Sequence, residues 1–254
     1  MDRVDDLQRI EQALTAAANV LADFTPGFID ATRKSGGDPV TEADEKVDEL
    51  LRELLPESGD GWLSEETVDS PERLSAERVW VVDPLDGTRE FVEGIPEWCV
   101  SIGLVENGVA VAGGILNTVM HQRVVGSLET GVTLNGESAA VRSIEQIEGA
   151  EVLASRSEVR RGEWDHFQDG PIIVRPMGSV AYKMSLVAAG LADATWTLTP
   201  KNEWDVAAGA ALVTAAGGTV LYPDGSTPTF NLSLIHISEP TRRRLESRVG
   251  GCGG

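Results

Sequence analysis

The stretch Trp80-Val-Val-Asp-Pro-Leu-Asp-Gly-Thr-Arg-Glu-Phe91 carries the strongest structural signal in the sequence. Its apolar start predicts a short strand over residues 79–82, and Pro84, which has no backbone N–H, predicts that the strand ends there. Two carboxylates, Asp83 and Asp86, follow, and a glycine then permits a sharp turn. Carboxylate oxygens are ligands that Mg²⁺ prefers, and free amides at a turn bind anions. The stretch therefore suits a divalent cation and a phosphate group together.

Taken alone, an Asp-x-x-Asp pattern is more often a turn with solvated acids, because short motifs match by chance. The full string is more specific, and it resembles the metal-binding signature of the inositol monophosphatase superfamily of magnesium-dependent, lithium-sensitive phosphatases. With Arg89-Glu90 after the Gly-Thr pair, it looks most like the branch of 3'(2'),5'-bisphosphate nucleotidases, the CysQ-like enzymes. The inositol phosphatase branch more often has Thr-Asn at this point.

A second motif, Trp204-Asp205-Val-Ala-Ala-Gly209, lies far downstream. Considered by itself, Asp205 would be the N-cap of the helix that begins here, which is a common role for aspartate. The string is, however, similar to the superfamily's second signature, in which the aspartate reaches across to the metals. Two specific motifs in the expected order are hard to obtain by chance, and the resemblance covers about residues 4–231.

Two shorter segments add to the resemblance. Thr41-Glu-Ala-Asp44 has the form of a capping box, which predicts that Asp44 caps a helix. In the family the matching aspartate helps to orient the attacking water, so we expect Asp44 to have both roles. Gly61-Trp-Leu-Ser-Glu-Glu66 resembles the family's Gly-Glu-Glu segment, with Ser64 in place of the glycine, and Glu65 falls on a metal ligand. A pair of glutamates is otherwise normally surface charge.

The resemblance implies a site for two or three Mg²⁺ ions and direct attack on the phosphate by a metal-activated water. The implied metal ligands are four carboxylates and one backbone carbonyl: Glu65, Asp83, Asp86, Asp205 and the carbonyl of Leu85. Thr88 would orient the water together with Asp44 or Glu65, and the amides of Gly87 and Thr88 would hold phosphate oxygens. The three histidines are scattered without ligand or triad spacing, which favours water over a covalent nucleophile.

Further residues bear on the substrate. Inositol phosphatases carry a glutamate that reads inositol hydroxyls at the position occupied here by Leu198. The segment Gly178-Ser-Val-Ala-Tyr-Lys183 resembles a nucleotidase segment in which a lysine reaches the nucleotide, so Ser179 and Lys183 are predicted to bind substrate. A solvated helix lysine is the alternative. Two more basic residues are candidates for holding a phosphate: Arg156, in a Ser-Arg-Ser segment, and Lys201.

The leading functional hypothesis is a magnesium-dependent phosphate monoester hydrolase that acts on a small phosphorylated metabolite. It would convert 3'-phosphoadenosine 5'-phosphate, a by-product of sulfate assimilation, to AMP and phosphate. An inositol 1-phosphate or sugar-phosphate phosphatase is the alternative. A non-catalytic metal- or phosphate-binding relative is a third hypothesis, and the presence of all four acids argues against it. Dimers are usual in the family, so a homodimer is expected.

The composition excludes several classes of protein. The chain has 254 residues, of which 41% are hydrophobic, enough for one sizeable core or two small ones. Its formal net charge of −20 repels nucleic acid and anionic membranes, so neither is expected as a partner. Two cysteines provide no disulfide framework, and no apolar run approaches a membrane span or a signal peptide. We therefore expect a cytoplasmic protein.

The order of elements predicts a mixed α+β and α/β fold in two halves. Residues 2–32 and 41–55 have helical periodicity, and a run of antiparallel strands follows, with a hairpin at Asn107-Gly108. Strands and helices then alternate: strands 152–154, 172–174, 192–196 and 219–221, and helices 158–167, 178–189 and 205–216. The resemblance implies a layered α-β-α-β-α sugar-phosphatase fold. Its N-terminal half, residues 1–147, would carry the metal site, and residues 148–231 would form the C-terminal α/β half.

The end of the chain departs from the resemblance. Asn231 matches the family, in which a further strand and helix follow, but residues 232–242 read Leu-Ser-Leu-Ile-His-Ile-Ser-Glu-Pro-Thr-Arg. This string is similar to translated sequencing-adapter read-through, which predicts that residues 232–254 are not native and that the true C-terminus is missing. A genuine basic tail is the alternative. A missing terminal element would leave a sheet edge or an apolar face uncovered.

Overall fold

The computed structural model describes residues 3–33 and 39–232, except for the side chain of Arg33. The predicted non-native tail therefore lies almost entirely outside the described residues. Within the described ranges, no helix combines the length and the apolar character that crossing a bilayer requires.

The described residues form helices and strands in an order close to the predicted one. The helices are α1 (Arg3–Leu21), α2 (Glu42–Leu54), α3 (Thr88–Glu93), α4 (Arg156–Arg160), α5 (Asp165–Gln168), α6 (Val180–Ala188) and α7 (Glu203–Ala215). The strands are β1 (Ala31–Arg33), β2 (Pro39–Thr41), β3 (Gly61–Ser64), β4 (Arg78–Asp86), β5 (Cys99–Glu106), β6 (Val109–Asn117), β7 (Gln122–Ser127), β8 (Gly131–Leu134), β9 (Glu137–Ala139), β10 (Glu151–Ser155), β11 (Ile173–Met177) and β12 (Ala194–Thr195). A short 3₁₀ helix lies at Pro71–Ser75.

Strands β3 to β9 form one seven-stranded sheet in sequence order. β3 is parallel to β4, and each later pair of neighbours is antiparallel. Asn107 and Gly108 both have positive φ and join β5 to β6 in the tight turn that the Asn-Gly pair predicts. β1 and β2 form a separate antiparallel pair.

Strand β4 continues through Pro84 to Asp86, so the prediction that it ends at the proline is wrong. Its pairing with β5 is regular up to Asp83, which lies opposite Ser101, and is found again at Asp86, opposite Cys99. The register shifts between these points, and Pro84 lies in this irregularity. Its missing N–H therefore costs no regular ladder hydrogen bond. The interruption leaves both carboxylates at the same end of the strand.

Helices cover both faces of the large sheet. α1 and α2 pack on one face, and α6 and α7, from the C-terminal half of the chain, pack on the other. α7 approaches the sheet closely because the strands beneath it carry glycines. A Cβ atom at Gly103 or Gly113 would lie 2.9 or 2.8 Å from backbone atoms of Ala208. The two halves of the chain therefore share one core.

A second, parallel sheet has the strand order β11-β10-β12. Because side chains alternate along β10, Leu153 packs into the core shared with α6 and α7, whereas Val152 and Ala154 pack against Trp164 on the other side. The layers are thus α1 and α2, the large sheet, α6 and α7, the small sheet, and the segment of α4 and α5. This confirms the predicted layered α/β fold.

Three further predicted elements differ from those observed. α1 ends at Leu21 rather than near residue 32, because turns follow that contain Pro26 and Gly27, whose φ is 84°. The helix predicted at 158–167 is divided into α4 and α5 by Gly162, which has a φ of 75°. Residues 219–221 contain an isolated bridge at Leu221 instead of a strand.

Candidate active site

A polar cleft lies where the end of β4 meets the N-terminal ends of α3, α6 and α7. Every predicted site residue except Asp44 lines this cleft: Glu65, Asp83, Leu85, Asp86, Gly87, Thr88, Arg156, Ser179, Lys183, Lys201 and Asp205. Asp44 is buried and reaches the cleft through a hydrogen bond to one of the lining residues. The fold therefore brings together residues that are widely separated in the sequence.

Three acids form a compact group in the cleft. Single carboxylate oxygens of Glu65, Asp83 and Asp205 all lie within 4.8 Å of one another. Asp83 is only 1% exposed, and its Oδ1 accepts a hydrogen bond from the Leu85 N–H at 3.0 Å. Its Oδ2 is buried and has no hydrogen-bond partner among the described residues. A buried carboxylate oxygen in this state is costly unless a cation pairs with it.

Burial and mutual repulsion raise the pKa values of these acids. Burial is the largest cause for Asp83, followed by the negative charges of Glu65, Asp86 and Asp205, and its pKa lies well above the usual range. Burial and the charge of Asp86 raise the pKa of Asp205 to about 7. Oxygen donors that repel one another in this way fit a hard divalent cation such as Mg²⁺. The residues present can therefore hold the metal that the sequence motifs imply.

Asp86 lies beside this group and is bound by the C-terminal half of the chain. Its Oδ2 accepts hydrogen bonds from Ser179 Oγ at 2.7 Å and from the Ala181 N–H at 2.6 Å. Burial raises the pKa of Asp86, whereas these two hydrogen bonds lower it. Ser179 Oγ also accepts the Tyr182 N–H at 3.0 Å as the N-cap of α6. The hydroxyl proton of Ser179, predicted to contact substrate, is thus used to orient a predicted metal ligand.

Asp44 has the two neighbours that its predicted roles require. Its Oδ2 accepts hydrogen bonds from the N–H and the hydroxyl of Thr41, which completes the capping box of α2. Its Oδ1 accepts the hydroxyl of Thr88 at 2.9 Å. The Thr88 hydroxyl also lies 3.0 Å from the carbonyl oxygen of Leu85. Burial raises the pKa of Asp44, and the hydrogen bonds from Thr41 and Thr88 lower it.

The turn into α3 requires a glycine. Gly87 has a φ of 99°, and a Cβ atom there would lie 2.9 Å from the carbonyl oxygen of Glu97. Thr88 follows as the first residue of α3, where the backbone N–H has no partner within the helix. This N–H borders the cleft beside the acids, which is the placement that phosphate binding would need.

Arg156 lines the cleft but is already paired. Its Nη2 lies 2.5 Å from Glu97 Oε2 and 2.6 Å from Oε1, and its Nε lies 3.2 Å from Oε2. Glu97 Oε2 also accepts the Gly178 N–H at 2.7 Å. The edge of the guanidinium that would grip a phosphate bidentately is therefore occupied by a carboxylate. No sequence pattern indicates this pairing, because Glu97 lies in a loop without periodicity.

Two lysines give the cleft a cationic side. Lys183 is 2% exposed, and neither it nor Lys201 has a carboxylate within 4 Å among the described residues. Burial, followed by the charge of Lys201, lowers the pKa of Lys183 to about 8. Leu198 does not line the cleft, because its side chain packs against the core around Trp164. The position that would carry an inositol-reading glutamate therefore offers the cleft no polar side chain.

Comparison with known proteins yields one family. A sequence model described as "Inositol monophosphatase family" matches residues 4–249. The chain is 31% identical to an inositol-1-monophosphatase of Mesorhizobium japonicum over 94% of each chain. It is 30% identical to inositol monophosphatase 1 of Bos taurus, over 94% of this chain and 87% of the relative.

Solved structures agree with the sequence comparison. The inositol monophosphatase of Anabaena superposes with a TM-score of 0.76 and 28% identity, over 95% of this chain and 89% of that chain. The extragenic suppressor protein suhB of Bartonella henselae superposes with a TM-score of 0.80 and 25% identity, over 96% of this chain and 93% of that chain.

Proposed function

The chain belongs to the inositol monophosphatase family of metal-dependent phosphatases, and we propose that it hydrolyses inositol 1-phosphate or a closely related small phosphate monoester with Mg²⁺. The observation that carries the phosphatase assignment is the unpartnered Oδ2 of Asp83 within the group formed with Glu65 and Asp205. Two distant motifs converge on this atom. The preference for an inositol phosphate is supported by the names of the relatives.

The proposed Mg²⁺ ligands are the four acids and one carbonyl: Glu65, Asp83, Asp86, Asp205 and the Leu85 carbonyl. When bound, two or three such ions would neutralise the carboxylates and the phosphate and would activate the attacking water. The acids thereby fix the position of the phosphate that is hydrolysed, since beside four carboxylates an anion is stable only next to the cations that they hold.

Thr88 and Asp44 are suited to handle the proton of the attacking water. The Thr88 hydroxyl donates to Asp44 Oδ1, so its oxygen can accept a hydrogen bond from water. As the water oxygen bonds to phosphorus, its proton passes to Thr88 Oγ1 while the Thr88 proton passes to Asp44. Burial, which raises the pKa of Asp44, makes that carboxylate a better acceptor. The bond from phosphorus to the ester oxygen breaks, its electron pair stays on that oxygen, and the oxygen takes a proton from solvent water as the alcohol leaves.

A 3'(2'),5'-bisphosphate nucleotide is a second candidate substrate. The observation that favours it is the pair Lys183 and Lys201, two cleft lysines without a carboxylate within 4 Å in the described part of the chain. A buried ammonium without a partner is costly, and a second phosphate on the substrate would compensate it. A role in removing the nucleotide by-product of sulfate assimilation would follow from this specificity.

The decisive experiment measures phosphate release from inositol 1-phosphate and from 3'-phosphoadenosine 5'-phosphate, side by side, with Mg²⁺ added to metal-stripped protein. Asp86→Asn is the inactive comparison, and Asp6→Asn is the matched control, because Asp6 is a buried aspartate of α1 paired with Arg3 and Arg78. Faster release from inositol phosphate supports the first candidate, and faster release from the nucleotide supports the second. A folded protein that releases phosphate from neither would contradict both.

A homodimeric state and a cytoplasmic location stay predictions, and light scattering tests the first.

A further inference from the structure

We propose that Asp48 is a positioning residue for the metal site, which holds the backbone that presents Glu65. Nothing in the sequence motifs singles out Asp48, and it does not line the cleft. The inference rests on the proposed function, because it takes Glu65 to be a metal ligand. It concerns a different group of atoms, however, and it has its own test.

The carboxylate of Asp48 is bound by the residues on both sides of the Glu65-Glu66 pair. Its Oδ1 accepts a short hydrogen bond from Ser64 Oγ, and its Oδ2 accepts one from Thr67 Oγ1 at 2.5 Å. Asp48 is 7% exposed and Ser64 is 2% exposed, so little water competes for these bonds. One carboxylate therefore binds both ends of the turn that carries Glu65. We call Asp48, Ser64 and Thr67 the clamp.

The two hydroxyls of the clamp hold the turn further. Ser64 Oγ accepts the Glu66 N–H at 3.3 Å, and Thr67 Oγ1 accepts the indole N–H of Trp62 at 3.4 Å. On its other side the turn is fixed to β4, because the Glu65 N–H donates to the Val82 carbonyl oxygen at 3.3 Å. The backbone of Glu65 is thus bound on one side by α2 and on the other by the strand that delivers Asp83.

Asp48 has no ion pair among the described residues. A buried carboxylate without a cation contributes little to stability by itself, and an apolar side chain would fill a buried helix position at lower cost. What the carboxylate supplies is two directed acceptors, one for each side of the turn. This chemistry suits the positioning of Glu65 better than it suits general packing.

The same helix also positions Thr88. Asp44 and Asp48 are four residues apart, so they lie on one face of α2, one turn from each other. Asp44 holds the Thr88 hydroxyl, and Asp48 holds the Glu65 turn. α2 therefore sets the distance between a predicted metal ligand and the predicted proton acceptor, although only Asp44 belongs to the recognised motif.

The test is Mg²⁺ binding to metal-stripped protein by calorimetry, without substrate. Asp48→Asn keeps the shape but replaces one acceptor with a donor, and Ser64→Ala removes one arm of the clamp. Loss of a residue that orients a metal ligand typically weakens metal affinity about 10- to 100-fold, so we expect a loss of about 10-fold in each variant. The double variant should lose much less than the product, since both changes break the same hydrogen bond.

Asp6→Asn is the control, because Asp6 is also a buried aspartate but forms ion pairs with Arg3 and Arg78. It should lower Tm without changing Mg²⁺ affinity. If Asp48→Asn does not fold, Ser64→Ala alone decides. Unchanged affinity in folded clamp variants would overturn this inference and leave the proposed function intact. Failure of the unchanged protein to bind Mg²⁺ would overturn the metal site and this inference with it.

The kinetic signature separates positioning from mere stability. In the clamp variants the Mg²⁺ concentration for half-maximal phosphate release should rise about 10-fold, in line with the weakened binding. The KM for the phosphate ester at saturating Mg²⁺ should stay within about twofold, because no substrate contact is changed. A rise in substrate KM without a change in the Mg²⁺ requirement would contradict the proposed role.

Discussion

The Ser179 hydroxyl donates a 2.7 Å hydrogen bond to Asp86 Oδ2, across 93 positions of sequence. It joins the N-cap of α6 to the end of β4, and hence the C-terminal half of the chain to the half that carries the metal motif. An acid of the candidate site is therefore oriented by a residue from the other half.

Replacing Ser179 with alanine should lower kcat about 10- to 100-fold, because Asp86 loses the donor that orients it. Phosphate release at saturating Mg²⁺ and substrate measures this. Ser185→Ala is the matched control, since Ser185 is a buried serine of the same helix that donates to the Tyr182 carbonyl oxygen. Equal activity of the two variants would contradict the assigned role of Ser179.

Replacing Thr88 with valine should lower kcat about 100-fold or more, because general acid–base steps typically contribute 10²- to 10⁴-fold. Valine keeps the shape but cannot pass a proton to Asp44. Thr88→Ser retains the hydroxyl and should recover most of the activity. A valine variant as active as the serine variant would exclude a proton-transfer role for this side chain.

Replacing Lys183 with methionine distinguishes the two candidate substrates. The KM for 3'-phosphoadenosine 5'-phosphate should rise about 10- to 100-fold, the usual cost of losing a hydrogen bond to a charged group. The KM for inositol 1-phosphate should change little. Because the pKa of Lys183 is lowered to about 8, its charge is lost as pH rises through that value. The nucleotide KM of the unchanged protein should therefore rise above pH 8, and that of the variant should not.

Lys46→Met is the control for this experiment, because Lys46 is an exposed lysine of α2 paired with Glu42. Lys46→Met changes the net charge by the same amount as Lys183→Met, but Lys46 does not line the cleft. A similar rise in nucleotide KM in both variants would show a general effect of charge rather than binding by Lys183.

Adding Mg²⁺ to the metal-stripped protein should raise Tm, because the ion relieves the repulsion among Glu65, Asp83 and Asp205. At a concentration 100-fold above Kd, linkage gives about 2.7 kcal/mol, or roughly 5 °C or more in Tm. Asp83→Asn should raise the metal-free Tm and shrink the response. An unchanged Tm in the parent protein, measured by calorimetry with and without EDTA, would contradict the metal site.

Glu158 makes stability fall in acid. It is fully buried, and although burial raises its pKa, hydrogen bonds from Trp164, Thr197 and Thr199 lower the pKa to about 2. The unfolded value is near 4.5, so this contribution is present above pH 4.5 and is lost as pH falls towards 2. Glu158→Gln should lower the free energy of unfolding by about 2 kcal/mol at neutral pH and make it depend less on pH below 4.5.

Chemical unfolding at pH 7 and at pH 3 measures both effects. Glu163→Gln is the control, because Glu163 forms an exposed pair with Arg161 that is expected to contribute about 0–1 kcal/mol. If the free energy of unfolding falls by the same amount between pH 7 and pH 3 in Glu158→Gln and in the unchanged protein, Glu158 is not the cause of the acid sensitivity.

The acids of the cleft were predictable because each belongs to a motif whose chemistry is local: Asp83 and Asp86 at a strand end, and Asp205 at a helix start. The Asn-Gly hairpin was predictable for the same reason. What the sequence did not show are pairings between distant residues. Glu97, which lies in a loop without periodicity, pairs with Arg156, and nothing in either segment indicates this pairing. Asp48 offered one weak signal, an acid on the same helix face as Asp44.

The placement of α7 was also not predictable. Its residues are apolar on nearly every side, which indicates a helix buried between two layers, but that pattern does not say which layers. The path of β4 was mispredicted because a proline stops a regular ladder, whereas here the register already shifts at Pro84. Both outcomes depend on contacts that form only in the folded chain.

The glycines beneath α7 carry a consequence for redesign of the cleft. Gly103 and Gly113 set how closely α7, which carries Asp205 in its first turn, packs on the sheet, since any side chain at either position would meet the backbone of Ala208. Enlarging either residue would lift the helix and draw one acid away from the other two. Redesign for new substrates should therefore keep both glycines and vary Met177, which lines the cleft outside the group of acids.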